Sequence, residues 1–326
     1  MGCKLQHIAQ NMKNIKIIEV PSEIGAGTRG ASLGIEAIKI AALDFMSNFF
    51  VHFPSEHIAT ENHLLHEPIQ SPYAKRIPGI LSMYEKVSKA VSETVKSNFF
   101  PIVLSGDHST AGATIAGLKM AKPKSKLGVV WIDAHADLHT PYTTPSGNMH
   151  GMSLATAIDE DNKECKAHTL DADTAKMWDQ LKSIGKIKPK VLPEDIVFIS
   201  VRDFEKEERK LIEKYGMKII PTSEVRRKGA ENVVRSVLRY LSDCTDIYIS
   251  FDVDSLDASI SKGTGTPVGN GLKEREAEDL LGKFMMSRKV CCFEITEVNP
   301  TLDKENLMAE IAFNILHRSV NILMMN

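Results

Sequence analysis

No stretch of this 326-residue chain approaches the roughly 18 consecutive apolar residues that a membrane-spanning helix needs. The N-terminus, Met1-Gly-Cys-Lys-Leu-Gln-His7, lacks the apolar core of a secretion signal. Gln6 also stands where N-myristoylation wants Ser or Thr. Cysteine is scarce: Cys3, Cys165, Cys244, Cys291 and Cys292 form no C-x-x-C pair. An odd, scattered set argues against a disulfide framework and for reduced thiols, and the expected setting is the cytoplasm. Net charge is nearly absent as well. Forty Lys and Arg against 42 Asp and Glu leave −2, so nothing draws the whole molecule to nucleic acid or to an anionic membrane. The basic clusters Lys122-Pro-Lys-Ser-Lys126 and Arg226-Arg-Lys228 are short and read as solvated surface.

What is present is an ordinary core-forming composition, 43% hydrophobic and 25% charged. Apolar runs bounded by turn residues predict strands over 15–20, 100–104, 129–132, 196–201, 217–220, 246–252 and 290–295. Between them, apolar residues at helical spacing predict helices near 33–46, from 80 onward, over 110–120, within 153–185, around Val233 to Leu241, around Ala277 to Phe284 and near 304–318. Residues 1–14 read as a loose lead-in and 54–79 as a long surface loop. Alternating strands and helices without repeat or linker define one α/β domain over 15–326, with a mostly parallel sheet and helices on both faces.

The richest stretch is Val129-Val-Trp-Ile-Asp-Ala-His-Ala-Asp-Leu-His139. A buried strand turns abruptly polar, with Asp133, His135 and Asp137 at every second position. In extended chain such residues point to one side. Asp252-Val-Asp254 repeats the spacing after another strand, His108 follows a third and Glu297 a fourth. Ligands of open parallel sheets bind at the carboxyl ends of the strands, so these residues are candidates for one metal site. Glu297 apart, the two imidazoles and four carboxylates exceed what one structural zinc wants and suit two harder ions, manganese above zinc. An EF-hand reading of Asp252 to Asp257 fails for want of the loop glycine. Gly25-Ala-Gly-Thr-Arg-Gly30 spells G-x-G-x-x-G, but Pro21-Ser-Glu-Ile24 separates it from its strand and the next apolar run ends in Pro54 without an acid. A dinucleotide site needs both features. The stretch reads as a loop leading into a helix.

Ser105-Gly-Asp-His-Ser109, Trp131-Ile-Asp-Ala-His-Ala-Asp137, Ser146-Gly-Asn-Met-His-Gly-Met152, Ser250-Phe-Asp-Val-Asp254, Gly263-Thr-Gly-Thr-Pro267 and Glu297-Val-Asn-Pro300 together resemble the ureohydrolases. Within that group the loop Thr140 to His150 is more similar to arginase than to agmatinase. The resemblance implies two Mn2+ per chain, one held by His108, Asp133, Asp137 and Asp252, the other by Asp133, His135, Asp252 and Asp254. It implies hydrolysis of L-arginine to L-ornithine and urea by a hydroxide bridging the ions. Glu297 would pair with the guanidinium, His150 would carry protons to the leaving amine, and Asp137 would serve the catalytic set as a ligand. Thr266 would line the pocket. Thr144, Ser146 and Asn148, with free backbone N–H groups in their loop, would hold the α-carboxylate, and Glu205 or Glu208 the α-ammonium. A homo-oligomer and a small-molecule substrate, with neither nucleic acid nor membrane, complete the expectation.

Four departures from the family pattern bear on the substrate. His139 replaces an asparagine that binds arginine, Glu205 replaces an aspartate, Ser105 replaces a glycine, and Val268-Gly-Asn-Gly271 varies a glycine pair. His139 continues the alternating series as a third metal imidazole or, preferably, as a substrate-binding or supporting residue. The alternatives to arginine hydrolysis are another ureohydrolase, acting on agmatine, a guanidino acid or formimidoylglutamate, and a non-catalytic metal-binding regulator.

Overall fold

The computed structural model describes residues 13–325, so nearly all of the expected lead-in over 1–14 lies outside the described residues. The strands are Ile15–Val20 (β1), Ser55–His57 (β2), Phe100–Ser105 (β3), Leu127–Ile132 (β4), Ile196–Ile199 (β5), Lys218–Ile220 (β6), Asp246–Asp252 (β7) and Val290–Thr296 (β8). The helices before β4 are Gly34–Asp44 (α1), the single turn Phe49–His52 (α2), Ile77–Lys96 (α3) and Ala111–Ala121 (α4). After it come Ser153–Ala157 (α5), Ala172–Lys182 (α6), Lys206–Tyr215 (α7), Thr222–Lys228 (α8), Ala230–Tyr240 (α9), Glu274–Met285 (α10) and Leu307–Met324 (α11). No helix among the described residues is long and apolar enough to cross a membrane.

The strands form one sheet in the order β2-β1-β3-β8-β7-β4-β5-β6, and every pairing is parallel. Helices cover both faces, which is why β3 and β4 are buried at every position and read as unbroken apolar runs. Side chains alternate between two cores. Ile17, Ile102, Val130, Ile249 and Phe293 join α1, α9, α10 and α11. Ile18, Val103, Val129, Trp131 and Tyr248 join α3, α4, α6 and α7. Each such aliphatic or aromatic side chain contributes about 1.5–3 kcal/mol on full burial, so the two cores hold the strand ends rigidly in register. Between β3 and β4 the chain crosses to the other half of the sheet, and β7 and β8 return to fill the space between them. The carboxyl ends of these four central strands therefore meet at the switch point where open sheets bind ligands.

Several boundaries differ from the sequence expectation. The supposed loop over 54–79 contains β2, a short helical stretch over Asn62–His66 and the start of α3, whose Pro78 sits in the first turn where its missing N–H costs nothing. Strand β2 is polar and carries no apolar alternation; backbone pairing with β1 alone defines it. The apolar run at Phe49 is a helical turn, with Phe49 packed edge-on against Phe313, and the strand that follows the G-x-G-x-x-G loop is the short polar β2 rather than an apolar run. The final helix runs from Leu307 to Met324 rather than over 304–318. Helix α7 escaped the periodicity, since only Glu208, Leu211 and Ile212 on it are buried. The sheet is wholly, not mostly, parallel.

Candidate active site

The floor of the site is built on His108. Its Nε2 lies 2.7 Å from Ser250 Oγ, and its ring stacks on Trp131 with centroids 4.2 Å apart. These contacts turn Nδ1 toward Asp133 Oδ2 (3.0 Å), Asp137 Oδ2 (3.1 Å) and Asp252 Oδ2 (3.2 Å). Nδ1 and Asp133 Oδ2 are fully buried and make no hydrogen bond. Beside them, His135 Nδ1 lies 2.9 Å from Asp254 Oδ2 and 3.6 Å from Asp133 Oδ1. The backbone N–H of Ala134 and the hydroxyl of Thr266 both donate to Asp254, each at 3.0 Å. Thr266 thus braces a floor carboxylate as well as lining the pocket.

The convergence is not that of an extended chain. Strand β4 stops at Ile132, and Asp137 takes the left-handed region at φ 50°. Side chains fold back on the backbone instead: the His135 N–H donates to Asp133 Oδ1 at 2.7 Å, and the Asp254 N–H to Asp252 Oδ1 at 2.8 Å. Paired Asx turns aim the remaining oxygens at a common space.

Burial raises the carboxyl groups of Asp137, Asp252 and Asp254, and neighbouring aspartates raise them further, Asp252 well above its ordinary value. Burial opposes ionisation of Asp133 too, but His108 and His135 outweigh it and hold that carboxyl below its usual range. The same aspartates keep both imidazoles above theirs, against burial. Protons alone satisfy this cluster poorly. Oxygen-rich, with lone pairs left unbonded and four acids in mutual repulsion, it fits divalent cations, which supply the missing positive charge.

Behind the floor, Glu297 follows β8 in a left-handed conformation, φ 67°. A non-glycine residue so placed is strained, and such strain persists where surroundings over-determine it. Its Oε1 accepts from the His108 N–H (2.9 Å) and lies 3.0 Å from His150 Nδ1, while Oε2 makes no hydrogen bond among the described residues. Burial pushes the Glu297 carboxyl up and the His150 imidazole down. Their mutual contact overcomes both effects, leaving Glu297 lowered and His150 raised to about 9.

The mouth is organised differently. His139 Nε2 lies 3.0 Å from Glu205 Oε2 and 3.6 Å from Glu208 Oε2, and its Nδ1 is 3.2 Å from Thr143 Oγ1. Glu205 caps α7 and Glu208 returns the bond, accepting from the Glu205 N–H at 3.1 Å. Glu208 also accepts from the Leu138 N–H at 2.9 Å. His139 therefore clamps the metal-side loop to the start of α7. The hydrogen bond to His139 lowers Glu205 to about 2, while burial raises Glu208 to about 8. The carboxylate-binding loop departs from expectation: its backbone N–H groups are taken. Those of Ser146 and Gly147 donate to Thr144 Oγ1 (3.3 and 2.9 Å), and that of Asn148 to Ser146 Oγ (3.2 Å). What remains for a ligand is the hydroxyl hydrogens and the Asn148 amide. One pocket joins floor to mouth, lined by His135, Asp137, His139, Thr144, Ser146, Asn148, His150, Glu205, Glu208, Asp252, Asp254 and Thr266. His108, Asp133 and Glu297 stand behind that lining, buried.

Sequence reasoning quoted Ser250, Trp131 and Asp107 inside motifs without giving them work. The first two orient His108. Asp107 accepts from the Gly25 N–H at 2.8 Å and so ties the glycine loop to the site. Lys75, which donates to Asn148 Oδ1 at 3.0 Å, carried no signal in the sequence.

A wholly parallel sheet that carries, under a polar pocket, an oxygen-rich cluster fit to hold divalent ions is the architecture of an α/β protein with a candidate metal site. Residues 13–320 match the arginase family. An arginase of Brevibacillus brevis is 35% identical over 316 residues, 93% of this chain and 96% of that protein. The solved structure of Bacillus caldovelox arginase is similar at 35% identity with a TM-score of 0.79, covering 95% of this chain and 98% of that one. A formimidoylglutamase structure from Bacillus subtilis shares the fold at 18% identity, with a TM-score of 0.74 over 97% of this chain and 89% of that one. This chain belongs to the arginase family, and it is a hydrolase of guanidino or amidine compounds.

Proposed function

We propose that the chain hydrolyses L-arginine to L-ornithine and urea with two Mn2+ ions. The observation that carries this reading is the floor itself: His108 Nδ1 within 3.2 Å of three aspartate oxygens, and unbonded. His108, Asp133, Asp137 and Asp252 would hold one ion, and Asp133, His135, Asp252 and Asp254 the other. When bound, such ions lower the pKa of shared water and supply a nucleophile near neutral pH.

The remaining work falls to the chain. Glu297 Oε2, which makes no hydrogen bond among the described residues, takes the guanidinium, whose planar fork suits a carboxylate. His150, raised to about 9 by Glu297, is protonated at neutral pH and gives its proton to the leaving amine. Thr144, Ser146 and Asn148 meet the α-carboxylate from one side of the mouth, and Glu205 and Glu208 face the α-ammonium from the other. One observation favours a second reading, a sister ureohydrolase acting on agmatine or another guanidino compound. Glu205 Oε2 is already engaged by His139, which weakens its hold on an α-ammonium.

Release of urea, or of formamide from formimidoylglutamate, with added manganese, screened over L-arginine, agmatine, ω-guanidino acids and formimidoylglutamate, tests the proposal. Arginine is expected to show the highest kcat/KM, because a site built around polar substrate groups rejects analogues lacking them. Agmatine turned over as well as arginine would establish the second reading. Elemental analysis is expected to find two ions per active chain; one would defeat the ligand assignment.

A further inference from the structure

Every charged side chain lining the pocket is an acid or an imidazole; no lysine or arginine is among them. A site for a guanidino acid nonetheless has to favour a carboxylate at its mouth. At the carboxylate-binding loop a cation acts from behind the lining. Lys75 donates from Nζ to Asn148 Oδ1 at 3.0 Å, across 73 residues of sequence, and forms no ion pair among the described residues. An ammonium has only donors. The amide atom facing Lys75 is therefore the oxygen, and the NH2 group is turned the other way.

A backbone hydrogen bond and a glycine on the amide's other side frame this orientation. The Lys75 N–H donates to the Gly147 carbonyl at 2.9 Å. Gly147 has φ +76°, and a Cβ there would run into the carbonyl of Pro72, so the segments around 72–75 and 146–148 interlock at a position only glycine allows. On the far side of the amide, a Cβ at Gly27 would stand 2.6 Å from Asn148 Nδ2. The second glycine of the G-x-G-x-x-G loop thus makes room for the amide rather than for a pyrophosphate. Asn148 Nδ2 donates to nothing among the described residues.

We infer that Lys75 is a positioning residue for substrate specificity, locking the Asn148 amide with its N–H donors toward the mouth so that the site selects ligands carrying a carboxylate. A flipped amide would offer Oδ1 instead and repel that group. The inference rests on the reading of this pocket as a guanidino-acid site.

The test is Lys75→Met and Lys75→Arg in the manganese-loaded enzyme. Lys75→Met is expected to raise KM for L-arginine about tenfold, the size of one charge-assisted hydrogen bond, with the loss in KM rather than kcat. Lys75→Arg, which still donates to the amide oxygen, is expected to recover most of it. Calorimetric binding of L-ornithine is expected to weaken by a similar factor, and of putrescine, which has no carboxylate, hardly at all. In a double-mutant cycle with Asn148→Ala the two effects are expected to be non-additive. Equal weakening of ornithine and putrescine, full additivity, or no weakening at all overturns the inference. Wild-type enzyme that releases urea from no guanidino acid overturns the proposed function instead, and the ornithine and putrescine arm still reads Lys75.

Discussion

The floor and the mouth of one pocket treat polar groups in opposite ways. At the floor, four aspartates and two histidines are packed at strand ends with His108 Nδ1 and Asp133 Oδ2 left unbonded. At the mouth, His139, Glu205 and Glu208 also gather within hydrogen-bonding reach, yet each already has partners: a helix cap, a backbone amide, a threonine. Composition alone makes both look like metal clusters. The difference lies in satisfaction. A buried polar group without a partner costs about 1–3 kcal/mol, and more when charged, so the floor is incomplete without cations while the mouth is complete as built. On the proposed function, the floor does the chemistry and the mouth chooses what reaches it.

The strongest way to break this contrast is at the floor. Asp252→Asn is expected to lose most bound metal and activity, and more metal than His108→Asn, because Asp252 is assigned to both ions; equal losses by elemental analysis would argue against bridging. Next, Glu297→Gln is expected to keep its metal while losing turnover. Removing one partner of a desolvated ionic contact costs about 2–5 kcal/mol, roughly a 30- to several-thousand-fold fall in kcat/KM. Loss of metal instead would make Glu297 a ligand. Ser250→Ala removes the group that faces His108 Nε2 and is expected to weaken metal binding about 10- to 100-fold, as loss of such supporting partners usually does. Unchanged affinity in a metal titration would leave Trp131 stacking as the sole orienting contact.

Smaller effects belong to the mouth. His139→Asn frees Glu205, which is half exposed. It is expected to improve kcat/KM for arginine about two- to fivefold, the scale of a solvent-screened ion pair. A sharp loss would make His139 a direct substrate contact. The smallest expected signal concerns pH. His150 is raised from 6.5 to about 9 in the fold, so its pairing with Glu297 stabilises fully below its unfolded value and is lost as pH rises through about 9. Metal-free Glu297→Gln is therefore expected to lose more Tm near pH 6 than near pH 10; equal losses would show that the pair does not set the His150 titration.

Much of the floor was legible because its residues announce themselves locally. Asp133, His135 and Asp137 follow a strand that is buried throughout, and Asp252 ends another with Asp254 just beyond it, so the change from apolar to acidic marks a strand end suited to bind a ligand. The mouth was half legible. Glu205 and Glu208 were recognisable, but α7, which they cap, is too polar for a helical stripe, and its start was not. The carboxylate loop kept its residues and changed its donors, because Thr144 and Ser146 spend their oxygens on the backbone N–H groups. Lys75 lay in a stretch with no pattern.

By itself the sequence determined most of the strands and helices and which side chains could hold cations, since burial period and residue chemistry act within a few residues. Only the tertiary structure decided that β3, β8, β7 and β4 lie side by side, which carboxylate oxygens are left unbonded, that His139 turns to Glu205, and that Lys75 reaches Asn148. Those outcomes depend on contacts between residues far apart in the chain. Each is fixed by the two cores closing around the whole sheet, and no local pattern encodes it.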